Sequence, residues 1–202
     1  MADKQLVIEV LTHKAEVVSA SVIHDKTHIY YRFRWADCQL GYLCWCFPGC
    51  IQHALEELPV TLDETYEHVL RDIDEANWEL AYRLLQCVTV TSCPLHVEEL
   101  AGFLGFDCMA GPILTFHVDW LLEDPVDAVL LTTLSLLAIV NVDGSPVIQF
   151  SHFSVKEFLT SCRLAGSSDV ILHRYHVSLT HAHTLAAQAC LGMLLHLDKN
   201  IT

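Results

Sequence analysis

The sequence predicts a mostly α chain, a bundle of helices closing on a short β-hairpin. Three observations carry this. Apolar residues recur at helical spacing in several segments, two four-residue capping-box patterns mark helix starts, and an Asp-Gly pair separates two short β-prone runs.

The elements follow in order. Leu6 to Lys14 begins a helix, whereas Val17 to Tyr31 is rich in β-branched residues, lacks helical period and reads as a strand or irregular segment. Phe33, Trp35, Ala36, Leu40 and Leu43 suggest a buried helix ending near Pro48, followed by a short one from Cys50 to Glu57. Pro59 ends that element, and Thr61-Leu62-Asp63-Glu64 is a capping box. Leu62, Tyr66, Val69, Leu70 and Ile73 then share one helical face. A further helix from about Asp74 puts Ala76, Leu80, Ala81, Leu84, Leu85 and Val88 on one stripe. After Pro94, Val97, Leu100, Ala101 and Leu104 form a short helix stopping near Gly105.

Asp107 to Glu123 reads as a loop. Asp124-Pro125 is an N-cap with proline at the first helical position, and the helix continues through Val126, Val129, Leu130, Thr133, Leu134 and Leu137. Ala138–Val142 and Pro146–Phe150 flank Asp143-Gly144 as a hairpin. Ser154-Val155-Lys156-Glu157 is the second capping box, Gly166–Asp169 breaks the helix it opens, and a last helix runs from His181 to Leu197. Helices closing on a β-hairpin wing are the order of a winged helix.

Composition narrows the function. The chain has 202 residues, a formal charge of −14 and 52% apolar residues, with a mean hydropathy of +0.36. That is too apolar for disorder. Three apolar stretches approach the length of a membrane span: Cys38–Leu55 carries Gly41, Pro48 and Gly49, Val126–Val142 carries Asp127 and Asn141, and Tyr175–Leu197 carries four histidines. Each reads as a core helix, and Met1–Lys14 lacks the pattern of a secretory signal. From Leu84 to Val155, 72 residues hold eight acids and no Lys or Arg, so a recognition helix or wing there would repel phosphate. Nucleic acid and membrane are therefore not expected partners.

Catalytic and metal signals are weak. No glycine precedes a lysine, so no P-loop is present. Neither G-x-S-x-G nor H-E-x-x-H occurs, and the chain reads as a non-enzyme. Cys44, Cys46 and Cys50 lack zinc-knuckle spacing, and His53 is the conceivable fourth ligand; the nine cysteines read as reduced, largely buried thiols. No metal ligand is assigned. Thr61, Glu64, Ser154 and Glu157 read as helix caps, Trp35, Tyr66, Trp78 and Phe158 as core, and Glu98, Glu99, Asp119, Glu123 and Asp124 as a solvated acidic face.

Four segments resemble one family. Phe33-Arg34-Trp35-Ala36-x-x-Gln39-Leu40 resembles the closing helix of a fungal NACHT nucleotide-binding domain, and Leu58-Pro59-x-Thr61-Leu62-Asp63-Glu64-Thr65-Tyr66 the segment that follows it. Pro94-Leu95-x-Val97-x-Glu99-Leu100 and Phe150-Ser151-His152-Phe153-Ser154-Val155-Lys156-Glu157-Phe158-Leu159 resemble the winged helix of these STAND (NLR-like) NTPases, a type also named after GPI inositol-deacylase-like proteins. The resemblance covers roughly residues 33–200. It implies that residues 1–57 are the end of a NACHT domain, 58–165 the winged helix and 166–202 the start of a further helical segment. Residues 17–32 interrupt the family-like run and read as a retained intron or a gene-model error. The chain then reads as a fragment or truncated paralogue, with no cofactor of its own.

The resemblance also implies a role for His152. In an intact parent, cytoplasmic and often carrying ankyrin repeats, this histidine would reach the β-phosphate of bound ADP and lock the closed state. Its partners would be the NACHT domain, the C-terminal repeats and other proteins. The alternatives are a free-standing interaction module acting on a NACHT partner and, less favoured, a nucleic-acid-associated winged helix. His176 and His183 also fall at family histidine positions, without a mechanism.

Overall fold

The computed structural model describes residues 6–14, 27–44, 46–107, 114–121 and 124–199. The chain forms two compact units, Met1–His68 and Val69–Thr202, which divide inside one helix. The fold is mostly α with small antiparallel sheets, as the sequence predicts.

In the first unit, residues 6–14 are helical (α1). Helix α2 spans Thr27–Cys44, a 3-10 turn Pro48–Cys50 and α3 Ile51–Glu56. Thr27 to Tyr31 is thus helical, not strand or irregular. The helix disfavour of β-branched residues is only a few tenths of a kcal/mol each, roughly, and packing further along the helix overrides it. Residues 17–26 of that expected segment lie outside the described residues. The buried face of α2 is Trp35, Gln39 and Leu43, while Leu40, expected inside, is 47% exposed. Gln39 can be buried because its Nε2 donates to Thr65 Oγ1 at 2.9 Å. The Trp35 indole donates to the Pro59 carbonyl at 3.0 Å. Lys14 Nζ donates to the carbonyls of Leu55 (3.0 Å) and Leu58 (3.3 Å), placing a cation at the carbonyl end of α3.

Helix α4, Leu62–Asp72, starts at the predicted box. The Glu64 amide donates to Thr61 Oγ1 at 3.1 Å, and Glu64 Oε2 accepts from the amides of Thr61 (3.3 Å) and Val60 (2.9 Å). Its inward stripe is Leu62, Tyr66, Leu70 and Ile73.

The second unit is built on α5, Trp78–Val90. This helix starts later than Asp74, because the Asp74 carboxylate instead accepts from the Ala76 amide at 2.8 Å and holds a turn. Ala76 is accordingly exposed. Seven consecutive or near-consecutive residues from Ala81 to Thr89 are buried, so α5 is covered on more than one side. Helices α7 (Pro125–Thr133) and α11 (Leu179–Lys199) supply that cover. Asp124 caps α7 by accepting from the amides of Val126 (2.9 Å) and Asp127 (3.1 Å).

Strand β1 (Leu95–His96) leads into α6 (Val97–Gly102) and a 3-10 turn, Phe103–Gly105. Glu99 belongs to a capping box there, accepting from the His96 amide at 2.9 Å. The expected loop 107–123 contains structure: β2 (Phe106–Asp107) pairs antiparallel with β3 (Thr115–Phe116), and Val118–Trp120 forms a 3-10 turn. Glu123 of the expected acidic face lies outside the described residues, and Glu98, Glu99, Asp119 and Asp124 are exposed.

Helix α7 stops at Thr133, short of the expected Leu137, and Leu134 takes a positive φ of 50°. Leu137 instead opens β4 (Leu137–Val142), which pairs with β5 (Ser145–Phe150) from Leu137↔Phe150 to Val142↔Ser145. Hydrogen bonding to β5 competes with the helix for these backbone groups. The two-residue turn has φ of 52° at Asp143 and 85° at Gly144, the signs a type I′ hairpin requires. Strand β1 pairs with the far edge of β5, Leu95↔Ile148 and His96↔Val147, giving the order β1-β5-β4. Helices α8 (Phe153–Leu159), α9 (Cys162–Ala165) and α10 (Val170–His173) precede α11. Among the described residues, no helix is long and apolar enough to cross a membrane.

Candidate functional site

His152 sits where β5 turns into α8. The chain there is pinned from behind: the Ser151 amide donates to the Leu136 carbonyl at 3.0 Å, and Ser151 Oγ to the Ser135 carbonyl at 2.7 Å. His152 is left extended (φ −156°, ψ 148°) and becomes the N-cap of α8. The second expected capping box is therefore corrected: the cap is His152, and Ser154 lies inside the first turn, buried. The Ser154 amide donates to His152 Nδ1 at 3.3 Å, and Ser154 Oγ is 2.6 Å from the same nitrogen.

An Nδ1 that accepts from an amide carries no proton, so the neutral ring holds its proton on Nε2. The imidazole is partly buried and lies tilted on the Phe153 ring, centroids 4.2 Å apart, with Phe153 46% exposed. In the neutral ring with Nδ1 accepting, the N–H is on Nε2, at the junction of hairpin and helix. One imidazole donor does not by itself hold a diphosphate, which needs several amides or cations.

The other singled-out residues are dispersed. Cys44 and Cys50 are exposed, Cys46 Sγ donates to the Tyr42 carbonyl at 3.6 Å, and His53 lies 3.1 Å from the Glu57 carboxylate. Among the described residues, no three His, Cys, Asp or Glu side chains are grouped to hold a metal. Of the expected buried thiols, only Cys87 is fully buried among those described, and five are exposed. Trp35, Tyr66 and Phe158 are core, while Trp78 is half-buried. His183 is exposed, and the His176 carbonyl accepts from Tyr82 Oη at 2.9 Å.

Sequence reasoning missed a second polar cluster. Arg174 makes a two-pronged pair with Glu75, at 2.8 and 2.7 Å, and lies over the Trp78 ring, 4.8 Å from its centroid. Those hydrogen bonds hold the Glu75 carboxyl below its ordinary range and push Arg174 further up. Beside it, Tyr175 is fully buried, and burial raises its phenol. Arg71 donates to Asp169 Oδ2 at 3.1 and 3.2 Å. Burial pushes Asp169 up, but the Arg71 bond and the amides of Ile171 and Leu172 together hold its carboxyl below the ordinary range. These partners are nearly a hundred residues apart, and no local spacing announces them.

No protein-family model matches the chain, and no solved structure matches it. It is similar to the azaphilone pigments biosynthesis cluster protein L of Monascus ruber, 31% identical over 150 residues, which is 70% of this chain and 29% of that protein. The chain thus spans less than a third of the length of the curated relative it matches.

Proposed function

We propose that this chain is the regulatory segment of a NACHT-type signalling NTPase. Residues 1–57 close the nucleotide-binding domain, residues 58–165 form a winged helix, and residues 166–202 begin the helical segment beyond. His152 donates from Nε2 to the β-phosphate of ADP held by the nucleotide-binding domain, and losing that contact on exchange lets the winged helix rotate. On this reading the protein is not itself an enzyme and works in the cytoplasm, with the NACHT domain and C-terminal repeats as partners.

The observation that carries the reading is the cap at His152. It keeps Nδ1 occupied and directs the proton to Nε2, which is what a phosphate contact needs. The order α5-β1-α6-α7-β4-β5, with β1 on β5, supports the winged helix. A match to part of a longer relative agrees with a module of a larger protein.

The test is a fusion of the chain to the P-loop domain of a related NACHT protein, loaded with fluorescent ADP. His152→Ala and His152→Ser are both expected to speed ADP release, although Ser keeps the helix cap. Unchanged off-rates in both variants refute the sensing role. A second reading, an interaction module acting on a separate NACHT partner, is favoured by Leu191, Leu194 and Leu195 on α11, each more than half exposed. Pull-down of that partner by the isolated chain distinguishes it.

A further inference from the structure

The turn after β3 combines rigidity with apolar exposure. The His117 amide donates to the Gly105 carbonyl at 2.7 Å, Trp120 N–H to the His117 carbonyl at 3.2 Å, and Leu121 N–H to the Val118 carbonyl at 3.2 Å. The His117 and Trp120 rings stack, 4.4 Å between centroids and 16° from parallel. A Cβ on Gly105 would lie 2.7 Å from Phe116 Cε2 and 3.2 Å from both the His117 carbonyl and Leu121 Cδ2, so the turn is seated directly on that glycine. Yet Val118 is 59% exposed, Trp120 46% and Leu121 38%. The cost of exposing three large apolar side chains within four positions is not relieved by the fold itself.

Arg83 of α5, its side chain largely buried, donates to the Phe106 carbonyl at 3.1 Å beside Gly105 and lies 3.9 Å from Glu79, so the charge exposed on the turn itself is acidic. Asp119 is exposed within the turn, and Asp124, three positions beyond Leu121, is exposed at the start of α7. No Lys or Arg occurs from Leu84 to Val155. Nucleic acid and anionic lipid are repelled by such a surface, whereas a cationic chain is drawn to it. A preordered Trp with aliphatic neighbours is the kind of anchor that carries binding energy, because little side-chain freedom remains to be lost.

We propose that the 117–121 turn is a docking site for a Lys/Arg-rich amphipathic segment of another protein, whose apolar side chains cover Val118, Trp120 and Leu121. This does not depend on the nucleotide-sensing role of His152.

The experiment is fluorescence anisotropy of the full chain with a labelled synthetic helix carrying Leu and Lys at amphipathic spacing. The same peptide with Glu for Lys, and phosphatidylserine vesicles, are the comparisons. The Lys peptide is expected to bind and to weaken with salt. Trp120→Ala is expected to weaken it at least about tenfold, and Val118→Ser several-fold. Asp119→Lys should weaken it and flatten the salt dependence. Because Trp120 also stacks on His117, Val118→Ser is the variant that leaves the stack in place, and circular dichroism confirms that each variant is folded. The proposal is overturned if Val118→Ser leaves affinity unchanged, whatever Trp120→Ala does. Equal binding of the Glu peptide or of the vesicles also overturns it.

Discussion

Replacing Gly192 by alanine sets two known effects against each other. Gly192 lies in α11 where the helix crosses Phe106 and the Leu114 carbonyl. An added Cβ would stand 2.9 Å from Phe106 Cε1 and 3.1 Å from Leu114 O, so something must move. The Phe106 ring has little room, since it is 2% exposed, 5.1 Å from the Phe116 ring and 6.4 Å from the Phe103 ring. Alanine gains about 1 kcal/mol over glycine inside a helix. Overpacking a well-filled core costs about 1–3 kcal/mol. The expected net is a loss of up to about 2 kcal/mol, or a fall of several degrees in the thermal midpoint of the second unit. Gly41 is the control: it is also within a helix, α2, but nothing lies within 4 Å of its would-be Cβ. Gly41→Ala should show the gain of about 1 kcal/mol with no penalty. Thermal and urea unfolding by circular dichroism measures both. If Gly192→Ala stabilises as much as Gly41→Ala, the close packing of α11 on Phe106 is refuted.

Three further outcomes follow from the geometry. His152→Ala should cost about 1 kcal/mol by removing the cap of α8, and His152→Ser should restore most of it in urea unfolding; equal losses would mean the cap is not the stabilising contact. Glu75 and Asp169 have carboxyls held below their ordinary range, so the stability they contribute is fully present above the unfolded-state value near pH 4 and is lost as pH falls through the lower folded values. Glu75→Gln should therefore flatten the acid limb of stability against pH, and an unchanged limb would show that the Arg174 pair contributes nothing. In native thiol labelling, Cys44, Cys50, Cys93, Cys162 and Cys190 should react, Cys38 more slowly because burial raises its thiol, and Cys87 after unfolding. Fast labelling of Cys87 would contradict the burial of α5.

Legibility in the sequence tracked the distance over which each interaction acts. The Thr61–Glu64 box, the Asp124 cap and the Asp143-Gly144 turn each close hydrogen bonds within a few residues, so residue type and spacing sufficed. The start of α5 is not legible from the sequence, because Asp74 has two local options, a cap or a turn, and the structure takes the turn. Ser154 looked like a cap by spacing, but Ser151, held by the carbonyls of residues 135 and 136, shifted that role to His152. The candidate site was legible as a motif, whereas the state of its imidazole was not.

By itself, the sequence determined a mostly helical chain, the hairpin and the basic-free acidic span from Leu84 to Val155. These depend on periodicity, short-range hydrogen bonding and composition. Tertiary structure alone decided the pairing of β1 with β5, the small β2–β3 ladder, the Arg174–Glu75 pair and which apolar side chains stay outside. The sequence places Val118 and Trp120 in a loop, which leaves open whether their side chains are covered. Their exposure follows from how the turn is seated on Gly105, a contact between segments that no local period encodes.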